Sequence, residues 1–202
     1  QNYSSNPECG IAEMISNQYP DVAEHYIPSI RQAVANTQSL IAAFRQAQRE
    51  VIYTRHGALL PNGRDMILRR QRRDTDAVHQ TERPALWSKG SFEHNILEVL
   101  QPQQDELVID KNASSPFNGT GIDQLLRNLN LDTLVMAGMA TDMCVETTAR
   151  DAADRGYNVV VVEDATATFF AEHHQAALSS LARVYTKVWP TEQVLDQLTG
   201  NP

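Results

Sequence analysis

Ile30, Val34, Thr37, Leu40, Ile41 and Phe44 recur three and four residues apart in an otherwise polar stretch. That spacing gathers them on one face and predicts a helix over 28–49, with Pro28 in the first turn, where a missing N–H breaks no bond. Short apolar runs without helical period read as strands at 51–55, 106–110, from 132, and at 157–162. The last is a continuous β-branched run, Val159-Val160-Val161-Val162, as expected of a strand buried on both faces of a parallel sheet. Helical patterns cover 93–100, 122–129, about 143 to Gly156, 172–181 and 191–198, with a last strand at 184–188. Residues 1–27 read as irregular, with a short helix around 11–16, and 56–91 as one long irregular segment.

Strands alternating with helices predict an α/β fold built on a doubly wound, mainly parallel sheet with helices on both faces. Ligands in such sheets bind beyond the carboxyl ends of the strands. Lys111 and Cys144 both stand at such ends, on successive strands. Cys144 follows the small-residue turn Gly138-Met139-Ala140-Thr141 at the head of a predicted helix. Unpaired N–H groups and the helix dipole favour a thiolate there, although a buried cysteine of this kind is often only structural. The alternation has a gap, because no strand precedes the first long helix. A strand ahead of that helix would restore the alternation, so a polypeptide longer at its N-terminus is expected.

Composition narrows the function. The 202 residues, 42% hydrophobic and 21% charged, suit one domain spanning 1–202 with a full core. A formal net charge of −8 argues against a nucleic-acid partner. No apolar run approaches a membrane span, and Cys9 and Cys144 make no disulfide framework, which together suggest a cytoplasmic protein. No glycine-rich phosphate loop is present, so no nucleotide cofactor is expected. Arg64, Arg69, Arg70, Arg72 and Arg73 fall within ten residues. They read as a solvated loop or subunit contact, or as a basic lip steering an anionic small-molecule substrate. His56 and His79 lie in or beside this segment without a cluster of metal ligands. Phe169 and Phe170 follow the strand end beyond Asp164 and point to a site wall or a subunit contact.

The run Gly138-Met139-Ala140-Thr141-Asp142-Met143-Cys144-Val145, with Thr147-Thr148-Ala149-Arg150-Asp151-Ala152, resembles the signature of the isochorismatase-like cysteine hydrolases. Lys111 followed by Ser115, Phe117 and Thr120 resembles it too, as does Asp164-Ala165 after the valine-rich strand. The resemblance implies a three-layer α/β fold, a homo-dimer or homo-tetramer, and a triad of Asp, Lys and Cys. Cys144 is then the nucleophile and Lys111 the triad lysine. A cis peptide bond precedes Ala140, and the N–H groups of Ala140 and Cys144 form an oxyanion hole. The aspartate belongs two positions ahead of Gln1, on the first, central strand, because Gln1-Asn2 resembles the pair that follows it. Thr54-Arg55-His56-Gly57 stands where the metal-dependent nicotinamidase branch has Asp-x-His, so no metal is implied. Members that cleave the vinyl ether of isochorismate lack a cysteine at the position of Cys144. The implied activity is therefore hydrolysis of a carbon–nitrogen bond in a small amide, ureido or carbamoyl substrate through a thioester. Asn2, Tyr3, Trp87 and Phe117 are substrate-binding candidates, and Asp142 is expected to cap the nucleophile helix. Two other readings are a catalytically inactive binding or scaffold protein on the same fold, and hydrolysis of another small metabolite. A redox-sensing thiol would need a resolving cysteine, and only Cys9 is available.

Overall fold

The valine run is the spine of the sheet. The computed structural model describes residues 1–6, 8–68, 71 and 87–200. Its strands are β1 (Ile52–His56), β2 (Leu107–Lys111), β3 (Thr133–Met139), β4 (Asn158–Ala167) and β5 (Lys187–Trp189). Its helices are α1 (Asn2–Ser5), α2 (Gly10–Gln18), α3 (Pro20–Gln46), α4 (Ile122–Asn128), α5 (Glu146–Asp154), α6 (Ala171–Val184) and α7 (Thr191–Thr199). Alternate valines of β4 serve opposite layers. Val159 and Val161 join Ile122 and Leu126 of α4, Ala149 and Ala152 of α5, and Leu178 and Leu181 of α6. Val160 and Val162 join Leu40 of α3 and Val194 of α7. Helices thus cover both faces of an α/β sheet. Each buried valine contributes about 1.5–3 kcal/mol.

All strand pairs are parallel, and the described strands form two sheets, β1–β2 and β3–β4–β5. At the end of β1 the side-chain amide of Gln1 acts as a strand partner. Its Oε1 accepts the His56 N–H at 2.8 Å and its Nε2 donates to the His56 carbonyl at 3.0 Å. Between β3 and β4 the register shifts, from Met136 opposite Val161 to Gly138 opposite Thr166. The extra residues in β4 form a bulge that re-aims the end of β3, the segment that leads to Cys144.

Several elements differ from the sequence expectation. Residues 1–27 are largely helical, and α3 begins at Pro20, leaving Pro28 inside it. Pro28 is tolerated because it lies on the exposed face, as does Glu24, whose carbonyl loses its bond. The core side of α3 carries Tyr26, Ile30, Ala33 and Leu40. Segment 93–100 is not an α-helix but turns followed by a 3₁₀ turn, Glu98–Leu100. Its carbonyls are used elsewhere: Asn95 O and Glu93 O accept the N–H groups of Asn2 and Tyr3 at 2.9 and 3.0 Å. The Asn2 side chain adds a bond to Phe92 O at 2.9 Å. The helix after Cys144 ends as expected: Gly156, at φ +89, donates to Ala153 O at 2.9 Å in a left-handed cap.

Candidate active site

Lys111 is the last residue of β2, and its side chain turns inward, 3% exposed. A buried ammonium is costly unless all its donors are used. Its Nζ donates to Ser114 O at 2.6 Å, to Ala113 O at 3.0 Å, and to Cys144 Sγ at 3.3 Å. Two carbonyls and one sulfur are thus among the groups around the cation, and the loop after β2 supplies both carbonyls. The structure brings Lys111 and Cys144 together.

Cys144 does not begin an α-helix. It lies in a π-helical turn, Thr141–Val145, ahead of α5. The Ala140 carbonyl accepts the N–H groups of Met143 and Val145, each at 3.1 Å, which widens the turn. The peptide bond between Met139 and Ala140 is cis, and Ala140 is buried. Thr148 of α5 donates its hydroxyl to the Cys144 carbonyl at 2.5 Å, tying the turn to the helix.

Asp142 does not cap this turn. Its Oδ1 accepts the Thr168 hydroxyl at 2.5 Å, and its Oδ2 lies 3.8 Å from His173 Nδ1. The carboxylate therefore points to the end of β4 and the start of α6. Thr141, fully buried, meets His174 Nδ1 through its hydroxyl at 2.9 Å. Burial, with His25 adding to it, holds the His174 ring below its ordinary pKa and keeps it neutral. Sequence reasoning missed these two contacts to the turn, since nothing local links positions 26 to 33 apart.

The other candidates take separate places, and among the described residues no contact to Lys111 or Cys144 is seen for Asn2, Tyr3, Trp87 or Phe117; Phe117 packs on residues that precede β4. Tyr3 and Trp87 stack on each other with centroids 4.0 Å apart. Trp87 O accepts the Ala58 N–H, just beyond β1. Asn2 is buried and holds the turn at 92–95. Phe117 packs 6.0 Å from the Tyr157 ring and under the Arg155 guanidinium, at the margin of the core between α4 and α5. Phe169 stacks on Tyr26 at 5.0 Å inside the core, whereas Phe170 is exposed and meets His173 edge-on. His56 is buried with Nδ1 3.3 Å from Ala113 O. Arg69, Arg70, Arg72, Arg73 and His79 lie outside the described residues. Arg64 is exposed, its N–H on Asn62 Oδ1 at 3.3 Å. Among the described residues no three His, Cys, Asp or Glu side chains are grouped to share a metal ion, and no helix is long and apolar enough to cross a membrane.

A second charged cluster supports the same end of the sheet. Asp110, beside Lys111, accepts Arg55 Nε at 2.7 Å and pairs with Lys89 Nζ at 2.9 Å. Burial works against its charge, but Arg55 and Lys89 prevail and hold its carboxyl below the usual range.

Comparison with known proteins places the chain among related folds and sequences. Residues 13–193 match the model of the isochorismatase domain. Nicotinamidase 3 of Arabidopsis thaliana is 29% identical over 184 residues, covering 90% of this chain and 87% of that protein. Ureidoacrylate amidohydrolase RutB of Pantoea ananatis is 33% identical over 159 residues, 73% of this chain; the chain spans only 62% of that protein's length. The crystal structure of a cysteine hydrolase from Pseudomonas syringae pv. phaseolicola superposes with a TM-score of 0.75 at 29% identity, covering 88% of this chain and 84% of that one.

Proposed function

The chain belongs to the isochorismatase family, and we propose that within it this protein is a cysteine hydrolase cleaving a carbon–nitrogen bond of a small amide, ureido or carbamoyl compound. The observation that carries this reading is the contact of 3.3 Å between Cys144 Sγ and the buried Lys111 ammonium. A cation at that distance balances the negative charge of a thiolate nucleophile. The named amidohydrolases among its relatives support the bond type.

In this reading the thiolate attacks the substrate carbonyl, and the N–H groups of Ala140 and Cys144 hold the resulting oxyanion. Such a donor is usually worth ~3 kcal/mol. The acid that took the thiol proton returns it to the departing amine, leaving a thioester. Water, deprotonated by the same carboxylate, then releases the carboxylic acid and restores the thiol. The resemblance assigns that acid to an aspartate two positions ahead of Gln1.

The test is ammonia release from a panel of primary amides, ureido acids and N-carbamoyl amino acids by the full-length protein. Turnover that vanishes in Cys144→Ala, with unchanged circular dichroism, is the expected result. Turnover that persists in that variant overturns the reading.

A further inference from the structure

The turn that carries the nucleophile is held from two sides by residues outside it. Thr141, its first residue, is fully buried, and its hydroxyl lies 2.9 Å from His174 Nδ1 on α6. Asp142, its second residue, accepts the Thr168 hydroxyl from the segment between β4 and α6. Thr141 is covalently next to Ala140, whose carbonyl organises the turn through its bonds from Met143 and Val145. Any rotation of Thr141 therefore redirects the amides on either side of it. Ala140 and Thr141 are both buried, so few alternative partners are at hand if this contact is lost.

We propose that His174 is a positioning residue for the reaction, acting through Thr141 to aim the backbone N–H groups that receive the oxyanion. This rests on the function proposed above and assigns a specific role within it to a side chain 30 residues from Cys144. The Thr141 hydroxyl and His174 Nδ1 share this hydrogen bond, the ring tautomer setting which of them donates, and burial together with the neighbouring His25 holds the ring below its ordinary pKa. His25 of α3 and Asp142 of the turn are the charged or titratable groups that bear on the ring. His173, next to it in sequence, faces Asp142 instead. A misdirected donor raises the barrier to acyl transfer while leaving the thiol's own reactivity intact, because alkylation forms no oxyanion.

That difference gives the experiment. In a Cys9→Ser background Cys144 is the sole thiol, and two probes report on it separately. p-Nitrophenyl acetate acylates the sulfur: the thiolate adds to the ester carbonyl, p-nitrophenolate leaves, and a thioester forms. Iodoacetamide alkylates the same sulfur by displacing iodide. In His174→Leu the acylation rate is expected to fall at least tenfold, with the alkylation rate within twofold of the parent. His174→Asn, whose amide can replace the Nδ1 contact, is expected to recover most of the loss. Equal slowing of both probes, an unchanged acylation rate, or no recovery with Asn overturns the proposal. A Cys144→Ala control that still shows the p-nitrophenolate burst overturns the underlying reading of the site as well, and so separates the two failures.

Discussion

Lys111 Nζ lies 3.3 Å from Cys144 Sγ, and the same ammonium donates to the carbonyls of Ala113 and Ser114. The lysine thus joins the thiol to the loop after β2. Replacing it with Met keeps the length of the side chain but removes the charge and all three donors. Alkylation of Cys144 by iodoacetamide at pH 7 is expected to slow at least tenfold in Lys111→Met, since the cation 3.3 Å from the sulfur is gone. The two carbonyls lose this donor as well, and an unsatisfied buried group costs about 1–3 kcal/mol, so the melting temperature should fall too. An unchanged alkylation rate would exclude electrostatic support of the sulfur by Lys111.

Arg45 of α3 grips Glu106 just before β2 with two bonds of 2.8 Å, from Nε and Nη2. That fork, helped by the Gln103 N–H, holds the Glu106 carboxyl below its ordinary value of 4.5. A depressed folded-state pKa contributes stability above the unfolded value, and that stability is lost as pH falls through the folded value. Glu106→Gln should therefore destabilise the protein by about 1–2 kcal/mol at pH 7. Thermal melts from pH 7 downward should show the gap constant to about pH 5 and closing below 4.5. A gap that stays open at the acid end would show that the fork acts by packing instead of charge.

His94 is fully buried, and neither ring nitrogen has a hydrogen-bond partner among the described residues. Burial, with Arg55 close by, holds its pKa below the ordinary 6.5. Between the folded value and 6.5 the unfolded chain binds a proton that the folded protein refuses. Stability is therefore lost as pH falls below 6.5, by about 1.4 kcal/mol for each unit of separation. His94→Phe removes this loss and should flatten the decline in melting temperature between pH 7 and 5. His174, shifted in the same direction, accounts for the slope that remains. If wild type and His94→Phe decline in parallel, His94 has no part in the acid sensitivity.

Gly57 follows β1 at a close crossing of three segments. A Cβ there would sit 2.2 Å from Trp87 O and 2.7 Å from His94 Cδ2. The first of these is backbone, which also accepts the Ala58 N–H, so it cannot yield without breaking that bond. Gly57→Ala is expected to cost about 2–3 kcal/mol, a drop of roughly 5–10 °C in melting temperature. A melting temperature within 1–2 °C of wild type, where about 1 kcal/mol would already read as 2–4 °C, would mean that the crossing relaxes freely.

Much of this protein was legible from local pattern. The four valines from Val159 to Val162 announced a two-faced strand because β-branched side chains on a pleat alternate sides, whatever the neighbours are. Lys111 and Cys144 were visible as a pair because each stands at the carboxyl end of a predicted parallel strand, where α/β folds gather their sites; the described strands place β2 and β3 in separate sheets, and the Lys111–Cys144 contact is tertiary. Other features were closed to it. Pro28 reads locally as a helix start, yet α3 continues back to Pro20 because Tyr26 is needed in the core. Segment 93–100 has a helical composition, but its carbonyls serve Asn2 and Tyr3. The π-turn at Cys144, the diversion of Asp142 to Thr168 and the Thr141–His174 contact all depend on where β4 and α6 come to rest. By itself, then, the sequence determined the α/β layers and placed Lys111 and Cys144 at strand ends, since period and strand-end position are local properties. Only the tertiary structure decided what holds the Cys144 turn in place, because a hydrogen bond between residues 33 positions apart exists only once the packing of the sheet and α6 has made their distance small.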